Sequence, residues 1–332
     1  MDRGAALDVL TPLDAARSAV LRMSAPLLTP FFGDRERRVL WLGVGSVVMA
    51  FVLTGLAPLW LLALGPVVLG VPHLLADVRY LVVKPRLHRD VPLMLGLGVP
   101  LVAVTVGAPP VFGVLSVLVA ALSGPRSWRQ GLAFLAVAAL AAVAWGFPDG
   151  FQLAFVHGHN LVAIGLWFAL RPRPSSHGWI PGLALAGSAF ILVGGLDPLV
   201  TAMGGWRAPG TGSDFGEFVV THTSGLDPTV AAHVVLSFCF LQSVHYAMWL
   251  RLIPDDARER RAPRTFRASW RALAQDFGLP ALAAVGGLAV GLAAWGIVEL
   301  PAARTGYLHL ATFHGYLELA IAARWFVKGR PA

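Results

Sequence analysis

The feature that most limits what this chain can become is the recurrence of apolar stretches, many near twenty residues long, separated by short breaks rich in turn residues and arginine. About 30 Å of hydrocarbon requires roughly twenty apolar residues of helix. On that rule, spans are expected near 39–57, 59–83, 91–107, 110–123, 131–147, 151–170, 179–196, 229–250, 278–299 and 305–327. Turn punctuation falls between them, as in Ala108-Pro109-Pro110, Gly146-Phe147-Pro148-Asp149-Gly150 and Arg171-Pro172-Arg173-Pro174. The expected fold is therefore all-α: a polytopic helical bundle of about ten transmembrane helices.

Composition agrees. Of 332 residues, 56% are hydrophobic and 13% charged, against about one quarter charged in a typical soluble domain. That leaves too little polar surface to cover a water-soluble globule. The net charge of +8 does not indicate nucleic acid, because the basic residues sit in short clusters between apolar runs. Arg35, Arg37 and Arg38 precede the first span; Lys84, Arg86 and Arg89 follow the second; Arg126 and Arg129 follow the fourth. Arg171 and Arg173 follow the sixth, seven arginines from Arg251 to Arg271 follow the eighth, and Arg324, Lys328 and Arg330 close the tenth. With ten spans and both termini cytoplasmic, every cluster lies inside, and only Arg207 and Arg304 lie outside.

The expected organisation is a cytoplasmic amphipathic segment over 1–37 and a single transmembrane domain over 38–328 in the inner (plasma) membrane. Asp2, Arg3, Asp8, Asp14, Arg17 and Arg22 interrupt the first thirty residues, unlike a cleavable signal peptide. An outer loop near 197–228 carries Asp197, Asp214, Glu217, Asp227 and His222, and is placed to cap an outward-facing cavity. A basic inner loop near 251–277, with Trp270, is suited to anionic lipid headgroups. The single cysteine, Cys239, excludes an intramolecular disulfide and reads as a small core residue.

Ionisable groups at membrane depth are costly and call for a function. Seven of ten histidines fall within expected spans: His73, His157, His159, His233, His245, His309 and His314. His73 and Asp77 lie four residues apart and share a helix face, and His314 and Glu318 repeat the pattern. His157 and His159 point about 200° apart on a regular helix, so one of the two is the expected ligand, with Asn160 as a polar neighbour. His233 and His245 are twelve residues apart, about 18 Å along the axis, too far for one ion but compatible with two haems stacked across a bilayer. His309 reads as a polar cap near the outer surface, and His88 and His177 as solvated loop residues. Histidines with carboxylates and no cysteine suit non-haem iron, and less well zinc, copper or manganese.

The elements Pro72-His73-x-x-x-Asp77, Phe240-x-x-x-x-His245-Tyr246 and Thr312-Phe313-His314 resemble the bacterial Brp/Blh-type β-carotene cleavage dioxygenases. The likeness consists of scattered motifs over positions 72–314, and Trp249 stands four residues after His245, where that family pairs a second histidine. The resemblance implies a polytopic helical enzyme using histidine-bound non-haem iron, with His73, one of His157 or His159, His245 and His314 as ligands.

Together these features predict a membrane-embedded metalloenzyme, a non-haem iron oxygenase with dioxygen as co-substrate and a carotenoid, isoprenoid or other lipophilic substrate. Asp77 and Glu318 would complete or tune the coordination, and Tyr246 and Tyr316 would line the substrate tunnel. The alternatives are a bis-histidine haem b protein for electron transfer and a histidine-lined proton or metal transporter. The chain lacks Gly-x-Ser-x-Gly and HExxH motifs, which weakens a hydrolytic reading. Membrane lipids are the expected surroundings; no sequence feature specifies a protein partner.

Overall fold

In the computed structural model the chain is 87% helical, with no strand among the described residues. Those residues are 8–32, 34–170, 172–207, 216, 218, 223, 225–258 and 265–329. Asp214, Glu217 and His222 of the outer loop, Arg171, Arg330 and part of the basic inner loop lie outside them.

The helices, in chain order, are α1 (Thr11–Phe32), α2 (Arg35–Leu56), α3 (Pro58–Val78), α4 (Val91–Thr105), α5 (Pro110–Leu122), α6 (Trp128–Gly146), α7 (Pro148–Leu170), α8 (Trp179–Leu192), α9 (Asp197–Ala202), α10 (Pro228–Ala247), α11 (Phe266–Phe277), α12 (Leu279–Val298) and α13 (Leu300–Lys328). Wider turns extend α3 to Val83 and α10 through Met248–Leu252 and on to Asp256. The starts are dictated locally. Asp34 caps α2 by accepting from the Glu36 and Arg37 amides, and Asp227 caps α10 by accepting from Thr229 and Val230. Proline occupies the first helical position of α3, α5, α7 and α10, where its missing N–H costs nothing.

By length and composition six helices can cross a membrane: α2, α3 with its extension, α6, α7, α10 with its extension, and α12. The chain is a membrane protein of helical-bundle type. Helices α4 and α5 are apolar but shorter, at 15 and 13 residues. Helix α13 has length to spare at 29 residues, yet carries Arg304, His309, His314, Glu318 and Arg324, which dilute its hydropathy. Large apolar side chains face outward on α6 and α12, among them Leu135, Trp145, Val290 and Ile297, as a lipid-facing exterior requires.

Two helices organise the interior. Helix α13 packs against α3, α4, α5, α6, α7 and α12, while α10 packs against α2, α3, α7 and α8. Helices α3 and α7 therefore touch both, and the four enclose one junction. Glycine allows the close approaches. A Cβ at Gly70 of α3 would stand 2.3 Å from the Tyr307 ring, and one at Gly315 of α13 would stand 2.9 Å from Phe155.

Charged residues gather at one end of the bundle. Asp255 pairs with Arg38 at 2.9 Å and Arg258 at 2.8 Å, Asp256 with Arg173 at 2.8 Å, and Asp276 with Arg79 at 2.7 Å and Lys84 at 3.4 Å. The start of α2 and the ends of α3, α7 and α10 thus share one face. The amphipathic α1 docks there too, its Asp14 accepting from the Phe266 and Arg267 amides at the start of α11. His177, expected to be solvated, is buried: its short helical turn tucks it against Trp167, with Nε2 3.1 Å from the Glu36 carbonyl oxygen. His88 is exposed, as expected.

Candidate metal centre

At the junction, α3 contributes His73 and Asp77, α7 His159, α10 His245, and α13 His314 and Glu318. The imidazoles converge edge to face, with ring centroids 4.9 Å apart for His73–His314, 5.0 Å for His159–His314, 5.3 Å for His159–His245, 5.4 Å for His73–His245 and 5.7 Å for His245–His314. His73, Asp77, His245 and Glu318 are each 1% exposed or less. His159 and His314 present partly exposed edges.

The ring orientations follow from each helix's own backbone. His73 Nδ1 is 2.8 Å from the Gly70 carbonyl oxygen, His159 Nδ1 is 2.8 Å from that of Val156, and His314 Nδ1 is in short contact with that of Ala311. A carbonyl oxygen only accepts, so in all three rings Nδ1 holds the proton and Nε2 keeps its lone pair. Fixing the tautomer through the remote nitrogen is what metal-binding histidines require. Tyr307 adds a contact, its hydroxyl 3.1 Å from His73 Nδ1.

The carboxylates face the same side of the rings. Asp77 Oδ2 is 3.8 Å from His73 Nε2, and Glu318 Oε1 is 3.6 Å from His245 Nε2. Glu318 Oε1 also accepts from the Trp249 indole N–H at 2.7 Å. Asp77 is not tied to the neighbouring basic residues, since Arg79 and Lys84 both bind Asp276. Buried polar atoms are normally paired. Among the described residues, His73 Nε2, both ring nitrogens of His245, both Asp77 oxygens and Glu318 Oε2 have no hydrogen-bond partner. A cation would satisfy the lone pairs among them: His73 Nε2, one nitrogen of His245 and the carboxylate oxygens. Two groups, His73/His245/His314 and Asp77/His314/Glu318, have ligand atoms within 4.8 Å of one another. The residues fit a metal.

The other expected site residues separate. His157 turns to Phe238, with centroids 5.2 Å apart, while His159 is the α7 histidine whose ring meets those of His245 and His314. His233 pairs with Asp197 at 2.8 Å, and His309 is exposed. Tyr246 does reach the site: its ring centroid is 4.7 Å from that of His73, and its hydroxyl receives Gln242 Nε2 at 3.3 Å. Tyr316 instead stacks on Phe155 at 4.1 Å, beside the cavity and not among its lining residues. Tyr307 and Trp249 were missed as contributors. Tyr307 stands seven residues before His314 and Trp249 four after His245, so both follow from helical spacing once the ligand on each helix is known.

A cavity of about 270 Å³ adjoins the imidazoles, lined by His73, His159, Asn160, Gln242, His245, Tyr246, Tyr307 and His314, and reaching the exposed Thr305 and His309. A second, about 410 Å³ and almost wholly apolar, runs between α5, α6 and α7 past Val114, Leu140, Phe147 and Val162. Phe155 and His159 line both. Compared with protein-family models, curated proteins and solved structures, the chain gives no match.

Proposed function

We propose that this chain is a membrane metalloenzyme: a non-haem iron oxygenase that acts on a carotenoid, isoprenoid or similar lipid-soluble substrate. The observation that carries the reading is the convergence of four imidazoles and two carboxylates, with orphaned ligand atoms, beside a cavity that shares Phe155 and His159 with an apolar groove. His73, His159, His245 and His314 would supply metal ligands, with Asp77 and Glu318 completing the set and balancing charge. Bound there, iron would supply the capacity to activate dioxygen, which no side chain provides. The residues around it do the rest. The groove between α5, α6 and α7 takes up an apolar chain and excludes water, Phe155 offers its ring as a wall, and the Tyr246 hydroxyl and Gln242 amide orient the bond to be oxidised.

Edge-to-face imidazoles at these separations leave no slab for a porphyrin between opposed rings, so the geometry favours a free ion over haem b. The likeness to the Brp/Blh-type carotenoid dioxygenases points to the same chemistry. Its motif histidines His73, His245 and His314 are three of the four that converge.

The test is incubation of iron-loaded, detergent-purified protein with β-carotene and dioxygen. Loss of carotenoid absorption with formation of retinal, abolished in His314→Ala, is expected. Bound iron with no consumption of any carotenoid or isoprenoid would overturn the oxygenase reading.

We further read the chain as ten spans in the plasma membrane with both termini cytoplasmic. The gathering of the α2, α3, α7 and α10 ends on one charged face supports this. Because Cys239 is the only cysteine and is buried, a cysteine introduced at Arg126 should resist an impermeant thiol reagent in whole cells, and one at Arg207 should react.

A further inference from the structure

Resting on the reading of the junction as a metal centre, we propose that it binds two cations and not one: a nitrogen-rich site at His73, His159 and His245, and an oxygen-rich site at Asp77, Glu318 and His314.

The donors form two overlapping triads, His73/His245/His314 and Asp77/His314/Glu318, in each of which the ligand atoms are within 4.8 Å of one another. His314 is common to both. Its Nδ1 is engaged by the Ala311 carbonyl, so it offers only Nε2 and serves one ion at a time. Assigned to the carboxylates, it leaves His73 and His245 as a pair, with His159 beside His245, ring centroids 5.3 Å apart, and His159 Nδ1 likewise held by its own helix.

The carboxylates are not remote supports for the histidines. A carboxylate that orients a metal-binding imidazole does so through the nitrogen that does not bind the ion. On His73, His159 and His314 that nitrogen is already taken by a backbone carbonyl. Asp77 faces Nε2 of His73 at 3.8 Å, on the side where an ion would sit, and Glu318 faces Nε2 of His245 at 3.6 Å. Each carboxylate stands four residues beyond a histidine on its own helix, about 6 Å further along the axis. The donors therefore form an imidazole layer and a carboxylate layer. Paired catalytic ions stand about 3.5–4 Å apart, a spacing such layers accommodate.

Charge argues in the same direction. Asp77 and Glu318 are fully buried, and three of their four oxygens have no hydrogen-bond partner. Two adjacent carboxylates out of water call for a cation of their own, and among the described residues their ion pairs are with histidines, not with arginine or lysine.

The experiment is saturation of the detergent-purified full chain with Mn(II), removal of loose metal, and measurement of bound manganese per chain with electron paramagnetic resonance of the same sample. Two ions per chain with the spectrum of a coupled pair are expected. The double variant Asp77→Asn/Glu318→Gln should lose one ion and the coupling while keeping the other. One uncoupled ion per chain in the wild type would overturn the two-ion proposal and leave the metal centre standing. No retained ion would overturn both. The wild-type measurement decides the matter even if the variant fails to fold.

Discussion

Helices α12 and α13 are consecutive, joined at Glu299, and opposite in character. Helix α12 has no charged residue, and only 11% of its most apolar window is buried. Helix α13 carries two arginines, two histidines, a glutamate and a lysine, and buries Tyr307, Ala311, Glu318 and Arg324 while His314 faces the cavity. In water the apolar helix would be the inner one. Here the order is reversed, because lipid solvates the apolar helix and the protein interior must solvate the polar one. Arg304 illustrates the cost of being inside: its guanidinium donates to the Leu62 carbonyl at 2.9 Å and lies 4.5 Å from the Phe218 ring centre. Hydropathy thus marks which helices face lipid, and its failure at α13 marks where imidazoles and carboxylates gather.

Substitutions that treat the two helices alike should give opposite results. The largest contrast is His314→Ala against Val290→Ala. The first should lower metal retention and abolish oxidation of substrate; the second, at a lipid-facing position, should change neither, as read by metal analysis and turnover. Equal behaviour of the two would remove the distinction between the helices.

Next in size is Trp249→Phe, which takes from Glu318 its hydrogen-bond donor while preserving the ring. Loss of such an outer partner typically weakens metal binding about 10–100-fold, and a metal-competition titration would read it. A third contrast uses glycine. Gly70→Ala would drive a methyl group into Tyr307 and should destabilise by about 1–3 kcal/mol, whereas Gly287→Ala on α12 meets nothing within 4 Å and should be neutral or stabilising by up to about 1 kcal/mol. Unfolding in detergent measures both. The smallest contrast lies outside the junction. His177→Ala removes a buried ring beside Trp167 and should cost about 1–3 kcal/mol with metal retained, and His88→Ala should cost nothing measurable.

Much of this was legible in the sequence where the relation is local. A helical repeat places His73 above Asp77 and His314 above Glu318 whatever the tertiary fold, and both pairs reach the junction. Apolar length likewise identifies α2, α3, α6, α7, α10 and α12. What depends on helix rotation was not legible. His157 and His159 are equivalent until one knows that α7 meets α13 closely at Gly315, with His159 Cβ 3.4 Å from where a side chain there would begin. The burial of His177 depends on a short turn folding back under α2, a contact across 141 positions. Polarity also keeps α13 from standing out by hydropathy: it lacks an apolar window because it carries Arg304, His309, His314, Glu318 and Arg324.

The most direct test of the central claim is elemental analysis, with a visible spectrum, of the detergent-purified protein and of His73→Ala and His245→Ala. Tightly held iron and no Soret band are expected in the wild type, with the iron content reduced in both variants. Full metal retention in the variants, or a wild type that holds no metal after iron-replete expression, would contradict it.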